Sequence, residues 1–104
     1  MNYTENYEGI KIDVQAVDIT VDKDVQEAIR TTLRRLTKYA GEINWADVYL
    51  TVDPAHSNNR CNVSFRLGVP GPDVYASDAG DNFVQILRSV EEKLESQLRK
   101  KQSK

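Results

Sequence analysis

The chain has 104 residues, of which 29% are charged and 39% hydrophobic, and its formal net charge is −2. This length and composition predict one small, soluble, globular domain. No apolar run approaches the roughly 20 residues that a membrane-spanning helix needs, and residues 1–9 lack a signal-peptide pattern, so we expect a cytoplasmic protein that does not engage a membrane. One cysteine and one histidine exclude an internal disulfide and a metal cluster of ordinary spacing.

The first strand is predicted at residues 10–16. Ile10, Ile12 and Val14 alternate there with polar residues, which is the period-2 pattern of a strand with one buried face. Residues 1–9 show no periodicity and are expected to form a flexible leader. We expect a single domain over residues 10–101, followed by a tail at residues 102–104.

The first helix is predicted to begin after Thr20 or Asp22, either of which can act as an N-cap, and to end at Gly41. Its apolar stripe consists of residues spaced by three or four, namely Val25, Ile29, Leu33, Leu36 and Ala40. Basic residues spaced by four lie together off that stripe and predict a basic ridge on the solvent side: Arg30, Arg34 and Lys38.

Three antiparallel strands are predicted next, at residues 45–53, 61–69 and 73–77, with a turn at residues 70–73. Their alternation places one set of side chains on a polar face away from the core. With one residue of the first strand, that set is Gln15, Asp47, Tyr49, Thr51, Asn62, Ser64, Arg66 and Tyr75.

The second helix is predicted to follow Ser77, Asp78 and Asp81, which are candidate N-caps. Its apolar stripe is Phe83, Leu87, Val90, Leu94 and Leu98, and one flank carries Lys93, Gln97, Lys100 and Lys104. The element order is β-α-β-β-β-α. Since each helix has one apolar stripe and each strand one apolar face, we expect an α+β two-layer sandwich with both helices on one face of a four-stranded sheet.

The charges are segregated along the chain. Residues 30–40 contain four bases and no acid, and residues 93–104 contain five bases and one acid, whereas the other segments are acidic. A basic helix flank is usually a solvated surface. Two such segments on neighbouring helices would instead form a patch that can bind a polyanion.

Catalytic chemistry is not indicated. A nucleophilic pair would require His56 to reach Cys61, whose strand position turns it towards the core. The carboxylate pair Asp78 and Asp81 is explained by helix capping, and Glu91 with Glu92 by a solvated flank. We therefore expect no enzyme activity, no catalytic or metal-binding residues, no cofactor and no small-molecule substrate.

The aromatic residues allow two interpretations. Tyr39 and Trp45 can cover the edge of the core, or they can stack on bases beside the basic ridge. Tyr49 and Tyr75 are predicted on the open sheet face. The sequence alone leaves these alternatives open.

Taken in order along the chain, five short segments resemble the ribosome hibernation promoting factor family, also called ribosome-associated translation inhibitors. They are "VDIT" before the first helix, "LRRLTKY" at its end, then "DVYLTV", "VYAS" and "EEKLESQLRK". The resemblance covers residues 10–101. It implies a bacterial protein without enzyme activity that binds the small ribosomal subunit and its rRNA, occupies the messenger and transfer RNA channel, and silences idle ribosomes under stress or in stationary phase.

The resemblance also implies which residues contact rRNA phosphates. Arg35 and Lys38 match the family's first-helix bases, and Lys93 and Lys100 match its second-helix bases. The ridge pattern adds further candidates, namely Arg30, Arg34, Arg99 and Lys101. Ser96 stands where the family's closing motif has arginine, which removes one bidentate phosphate donor. Long family members carry a C-terminal dimerisation domain that this sequence lacks, so a short form is expected.

Two other functions compete with this interpretation. The basic residues could bind an acidic partner protein, or the chain could be a diverged family member with another RNA target. A small enzyme is disfavoured because no convergent catalytic set is present.

Overall fold

A computed structural model of the chain describes residues 1–55, 58 and 60–102. Two helices and five strands follow one another in this order: β1 (Asn2–Tyr7), β2 (Ile10–Ala16), α1 (Lys23–Ala40), β3 (Trp45–Val52), β4 (Cys61–Gly68), β5 (Val74–Gly80) and α2 (Phe83–Gln102). The α+β class is confirmed. The predicted strand number is wrong, because the sheet has five strands in the order β1-β2-β3-β4-β5. His56 and Lys104, which the sequence analysis considered, lie outside the described residues.

The additional strand is β1, in the segment expected to be a flexible leader. It pairs antiparallel with β2 through a two-residue turn in which Glu8 has φ 50° and Gly9 has φ 84°. Positive φ at both central residues is typical of the hairpin turns that match strand twist. Tyr3 and Tyr7 pack against the core, whereas Thr4 is exposed. The strand therefore has a period-2 pattern, which its high polar content had hidden.

The sheet is mixed. β2 and β3 are parallel and are connected by α1, whereas β3, β4 and β5 pair as an antiparallel meander. One set of alternating strand residues and the apolar stripes of both helices form a single buried cluster, with Phe65, Leu33 and Leu94 fully buried. Both helices therefore cover the same face of the sheet, as predicted, and none of the elements that the structure describes covers the opposite face.

Backbone hydrogen bonding explains where α1 begins and ends. The Asp22 carboxylate accepts a hydrogen bond from the Val25 N–H at 3.0 Å, which satisfies a donor of the first turn. Gly41, with φ 75°, donates its N–H to the Thr37 carbonyl at 2.9 Å. Of the two N-caps considered, the structure selects Asp22, and Gly41 is confirmed as the C-cap.

The N-cap of α2 differs from the prediction. Asn82 Oδ1 accepts hydrogen bonds from the Val84 N–H at 2.9 Å and the Gln85 N–H at 3.3 Å. The expected caps, Ser77, Asp78 and Asp81, all precede this position, and the first two belong to β5, which continues to Gly80. The strand is longer than predicted because its last residues still pair with β4.

The two helices run parallel to one another. Arg35 of α1 contacts Glu91 of α2, and Tyr39 contacts Arg99 further along both helices, so the contacts advance along both helices in the same direction. The C-terminal ends of the helices consequently lie side by side. Neither helix, over the residues described, has the length and apolar character that crossing a membrane would require.

Candidate nucleic-acid interface

Where the two helix C-termini lie together, the last turn of each helix carries basic residues. The last turn of α1 carries Lys38, and the last turn of α2 carries Arg99, Lys100 and Lys101. We call these four residues the basic end. Carbonyl groups without helical partners give each C-terminus a partial negative charge, which favours cations there. Two parallel helices double this preference at one place.

Arg34 and Lys38 are the members of the α1 ridge whose charge is directed to solvent. Both are exposed, and no carboxylate forms an ion pair with either in the part of the chain that the structure describes. Arg34 lines a shallow cleft of about 360 Å³ between α1 and the turn that joins β1 to β2. These two cations can approach a polyanion without first breaking an internal ion pair.

Arg30, the first residue of the predicted ridge, is directed towards β1. Its Nε lies 2.6 Å from Glu5 Oε2 and its Nη1 lies 3.1 Å from Glu27 Oε2. Hydrogen bonding to Glu5, and then to Glu27, raises the pKa of Arg30. Two acids thus balance the charge of Arg30. The sequence did not predict the contact with Glu5, because residues 1–9 were not expected to form a strand.

Arg35 lies on the α2 side of α1. Its Nη1 is 3.6 Å from Glu91 Oε1, and the Arg35 side chain is 56% exposed whereas that of Glu91 is 16% exposed. Glu91 is therefore largely turned into the helix–helix contact. Arg35 keeps most of its surface in solvent and remains a candidate for phosphate binding.

Arg88 is a basic residue that the sequence analysis did not select. It is exposed and lines the groove between the helices together with Arg35 and Glu91. Residues 41–92 are acidic as a whole, so the charge of this segment did not indicate that Arg88 lies on a basic surface. Arg88 precedes Arg99 by eleven residues, which is three helical turns, so both share one face of α2. This spacing could have identified Arg88 from the sequence.

Lys93 and Lys101 of α2 contact backbone carbonyls of the sheet and of a turn. Lys93 Nζ donates to the Ser77 carbonyl at 3.0 Å and lies 3.5 Å from Asp78 Oδ2. Lys101 Nζ donates to the Pro72 carbonyl at 2.6 Å and to the Pro70 carbonyl at 3.4 Å. Lys93 therefore holds α2 against the edge of β5, and Lys101 fixes the β4–β5 turn.

Arg99 and Lys100 complete the basic end, and both are exposed. Arg99 Nη1 lies 3.2 Å from Glu95 Oε2, and its guanidinium carbon lies 5.8 Å from the centre of the Tyr39 ring. Tyr39 packs against the core, so its ring lies between the core and the Arg99 guanidinium. This agrees with the core-edge interpretation of Tyr39 and does not test base stacking.

The open sheet face has the composition that the alternation predicted. Tyr49 and Tyr75 are 45% and 44% exposed. The Trp45 indole lies across Gly68, where a Cβ would meet its ring atoms at 2.1 Å. Trp45 therefore covers backbone on this face and not the core edge, which was one of its two interpretations, and this contact does not test base stacking.

Comparisons with known proteins give a consistent family. The family model described as "Sigma 54 modulation protein / S30EA ribosomal protein" matches residues 12–104. A curated ribosome hibernation promotion factor from Deinococcus radiodurans is 32% identical over 84 residues, which make up 80% of this chain and 44% of the relative. The chain thus spans about half the length of that relative.

Two solved structures share the fold. A ribosomal subunit interface protein from Coxiella burnetii superposes with a TM-score of 0.77 at 19% identity, over 89% of this chain and 98% of that one. The N-terminal domain of Protein Y from Thermus thermophilus gives a TM-score of 0.71 at 16% identity, over 92% and 98% of the two chains. At such identities the likeness establishes the fold alone.

Proposed function

The chain belongs to the Sigma 54 modulation protein / S30EA ribosomal protein family, and from this premise we propose that it binds the small ribosomal subunit and inhibits translation. It would occupy the channel for messenger and transfer RNA and so keep the ribosome idle. The relative from Deinococcus radiodurans carries the name of a ribosome hibernation promotion factor. We further propose that the protein acts in the cytoplasm by binding and performs no catalysis.

The observation that supports this proposal best is the parallel arrangement of the helices. It places the last turn of α1, which carries Lys38, next to the last turn of α2, which carries Arg99 and Lys100, although the chain as a whole is acidic. Few cations are enough to stabilise the C-terminus of a helix. The further bases Arg34, Arg35 and Arg88 extend the positive surface along the outside of the helix layer, which suits a phosphate backbone.

The physical mechanism is electrostatic. Lysine and arginine side chains neutralise RNA phosphates and release the counterions condensed on them, so the affinity falls as salt rises. Such contacts position a protein on RNA without reading bases. The shape of the helix layer would select the site, and the bound domain would exclude messenger and transfer RNA by occupying their space.

We rank the proposed contacts by exposure and by the elements that each side chain contacts. Arg34, Arg35, Lys38, Arg99 and Lys100 are exposed and we assign them to the RNA surface, with Arg88 as an addition. The remaining candidates, Arg30, Lys93 and Lys101, contact internal partners. We expect those three to contribute less, because their contacts hold them against β1, the edge of β5 and the β4–β5 turn.

Sedimentation with purified small subunits tests the proposal. The wild-type protein should co-sediment at low salt and be released as salt is raised. The variant Arg35→Gln, Lys38→Gln, Lys93→Gln, Lys100→Gln should stay in the supernatant at both salt concentrations. Translation of a reporter messenger should be inhibited by the wild type only.

The same experiment separates the proposal from its competitors. Equal binding to naked RNA and to subunits would indicate a general RNA-binding protein. If no co-sedimentation occurs even at low salt, the proposed ribosome binding is wrong, and an acidic protein partner becomes the better explanation of the basic end.

A further inference from the structure

The open face of the sheet exposes apolar surface that the helix layer does not. Over the described residues the large hydrophobic side chains that are exposed are Met1, Val17, Tyr49 and Tyr75, and none belongs to a helix. Tyr49 and Tyr75 stand on β3 and β5 and flank a groove of about 190 Å³. Exposed aromatic side chains around a groove are typical of an interaction site.

Two carboxylates lie side by side in this groove. Asp13 of β2 and Asp47 of β3 are direct register partners, and both line the groove. Asp13 is half-buried. Like charges directly opposite one another destabilise a sheet. No hydrogen bond or ion pair involves either side chain in the part of the chain that the structure describes.

The nearest basic residue of the groove is directed elsewhere. Arg66 of β4 is the register partner of Asp47, but its guanidinium carbon lies 5.0 Å from the centre of the Tyr75 ring. Arg66 forms no ion pair with Asp47. The acids therefore remain available to a cation from outside, and Tyr49 provides an exposed aromatic wall beside them.

We propose that this groove docks an arginine-bearing segment of a partner protein, with one guanidinium held between Asp13 and Asp47 and stacked on Tyr49. A guanidinium is planar, donates two parallel hydrogen bonds to carboxylates and stacks on aromatic rings, which a lysine ammonium does not do. Phosphate groups of RNA would be repelled by the paired acids. A metal ion is a poorer occupant, because the described residues form no cluster of three ligating side chains.

This surface is independent of the proposed ribosome contact. The groove lies on the face of the sheet opposite the helices, since Asp47 and Tyr49 alternate with the buried residues Val48 and Leu50. The protein would then bind RNA through its helix layer and a basic protein segment through its sheet. Each interaction can be removed without removing the other.

Nuclear magnetic resonance titration of the isotope-labelled protein tests the proposal. The probe is a capped glycine/serine peptide with several arginines, and the control probe replaces each arginine with citrulline, which has the same shape but no charge. The arginine peptide should shift backbone amides around Asp13, Asp47 and Tyr49, and the citrulline peptide should not. The variant Asp13→Asn, Asp47→Asn should bind the arginine peptide about tenfold more weakly or not at all.

Matched variants make the result specific. Asp73→Asn with Glu92→Gln removes the same charge elsewhere on the surface and should leave peptide binding unchanged. Tyr49→Ala should weaken binding, whereas Arg34→Glu with Lys38→Glu should not, so failure here is distinguishable from failure of ribosome binding. Asp13→Asn, Asp47→Asn should also unfold at a higher temperature, because like-charge repulsion is relieved.

Two outcomes would overturn the proposal. One is the absence of localised shifts with the arginine peptide while the protein remains folded. The other is a single-stranded oligonucleotide that shifts the same amides and binds more tightly to Asp13→Asn, Asp47→Asn, which would make the open face a surface for RNA bases.

Discussion

At the scale of single residues, close contacts between side chain and backbone determine which substitutions the fold accepts. Gly68 is buried at the end of β4 and is the register partner of Trp45. The indole ring occupies the space that any other side chain at this position would need. The φ of Gly68 is not in the positive range, so backbone conformation does not require a glycine here. The neighbouring Trp45 side chain requires it instead.

We predict that Gly68→Ala destabilises the protein by about 1–3 kcal/mol, the usual cost of overpacking. A Cβ there would lie 2.1 Å from Trp45 Nε1 and Cε2, so the ring must move. Urea unfolding would measure the change. In a Trp45→Ala background the same substitution should cost little, and an equal cost in both backgrounds would contradict the explanation.

A second residue-scale prediction concerns pH. Hydrogen bonding from Ser89, and then from the Ala79 N–H, lowers the pKa of Asp78. A carboxyl whose pKa is depressed by folding adds stability above its unfolded pKa, about 3.9, and that stability is lost as pH falls through the folded pKa.

Ser89→Ala should therefore lower stability near neutral pH, by less than about 1 kcal/mol because the Asp78 carboxylate is partly in solvent. The difference from the wild type should shrink as pH falls below about 3.9. Thermal unfolding across this pH range would measure it. A difference that does not change with pH would mean that Ser89 stabilises the fold by some route other than Asp78.

At the scale of elements, α2 protects the outer edge of the sheet. Gln97 Oε1 accepts a hydrogen bond from the Tyr75 N–H at 3.2 Å, and Gln97 Nε2 donates to the Tyr75 carbonyl at 2.6 Å. Lys93 donates to the Ser77 carbonyl two residues further along β5. Side chains of α2 thus occupy backbone groups that an unprotected edge strand would offer to another chain.

We predict that Gln97→Ala lowers stability by about 1 kcal/mol and promotes self-association at high protein concentration. Both effects follow from leaving the Tyr75 N–H and carbonyl to solvent or to a second molecule. Urea unfolding and sedimentation velocity would measure them. Gln85→Ala, an exposed position on the same helix, is the control and should change neither property.

At the scale of the whole molecule, we expect the position of the cations, rather than the net charge, to determine the proposed binding to small subunits. Arg34 and Lys38 are exposed and form no ion pair within the described part of the chain, so reversing them should leave the fold intact. Reversing Arg35 would place a second carboxylate beside Glu91, which lies 3.6 Å away. Glutamine is therefore the better replacement at that position.

We predict that Arg34→Glu with Lys38→Glu weakens binding to small subunits by at least about tenfold and flattens its dependence on salt, because fewer counterions are released. Binding measured at several salt concentrations would test this. Lys11→Glu with Lys23→Glu changes the total charge equally at exposed positions that do not belong to the basic end. If the two double variants lose affinity equally, total charge rather than the basic end controls binding.

The sequence by itself determined the helices, four of the strands and the single core, because apolar periodicity is a local property of the chain. Asp22 and Gly41 were identifiable from residue type for the same reason. It also indicated that both helices cover one face, since each element has only one apolar side. The motif order pointed to the family that the comparisons then established.

Only the tertiary structure decided how the charges are used. The β1 strand places Glu5 against Arg30. The Tyr and Glu residues of β1 were too polar for the sequence to predict that they form the inner side of a strand. The edge of β5 engages Lys93, and the β4–β5 turn engages Lys101. These ion pairs and hydrogen bonds join residues far apart in the chain, so no spacing rule within one element can reveal them. Once those long-range contacts have formed, Arg34 and Lys38 on α1 and Asp13 and Asp47 on the open sheet face are left without an ion pair among the described residues.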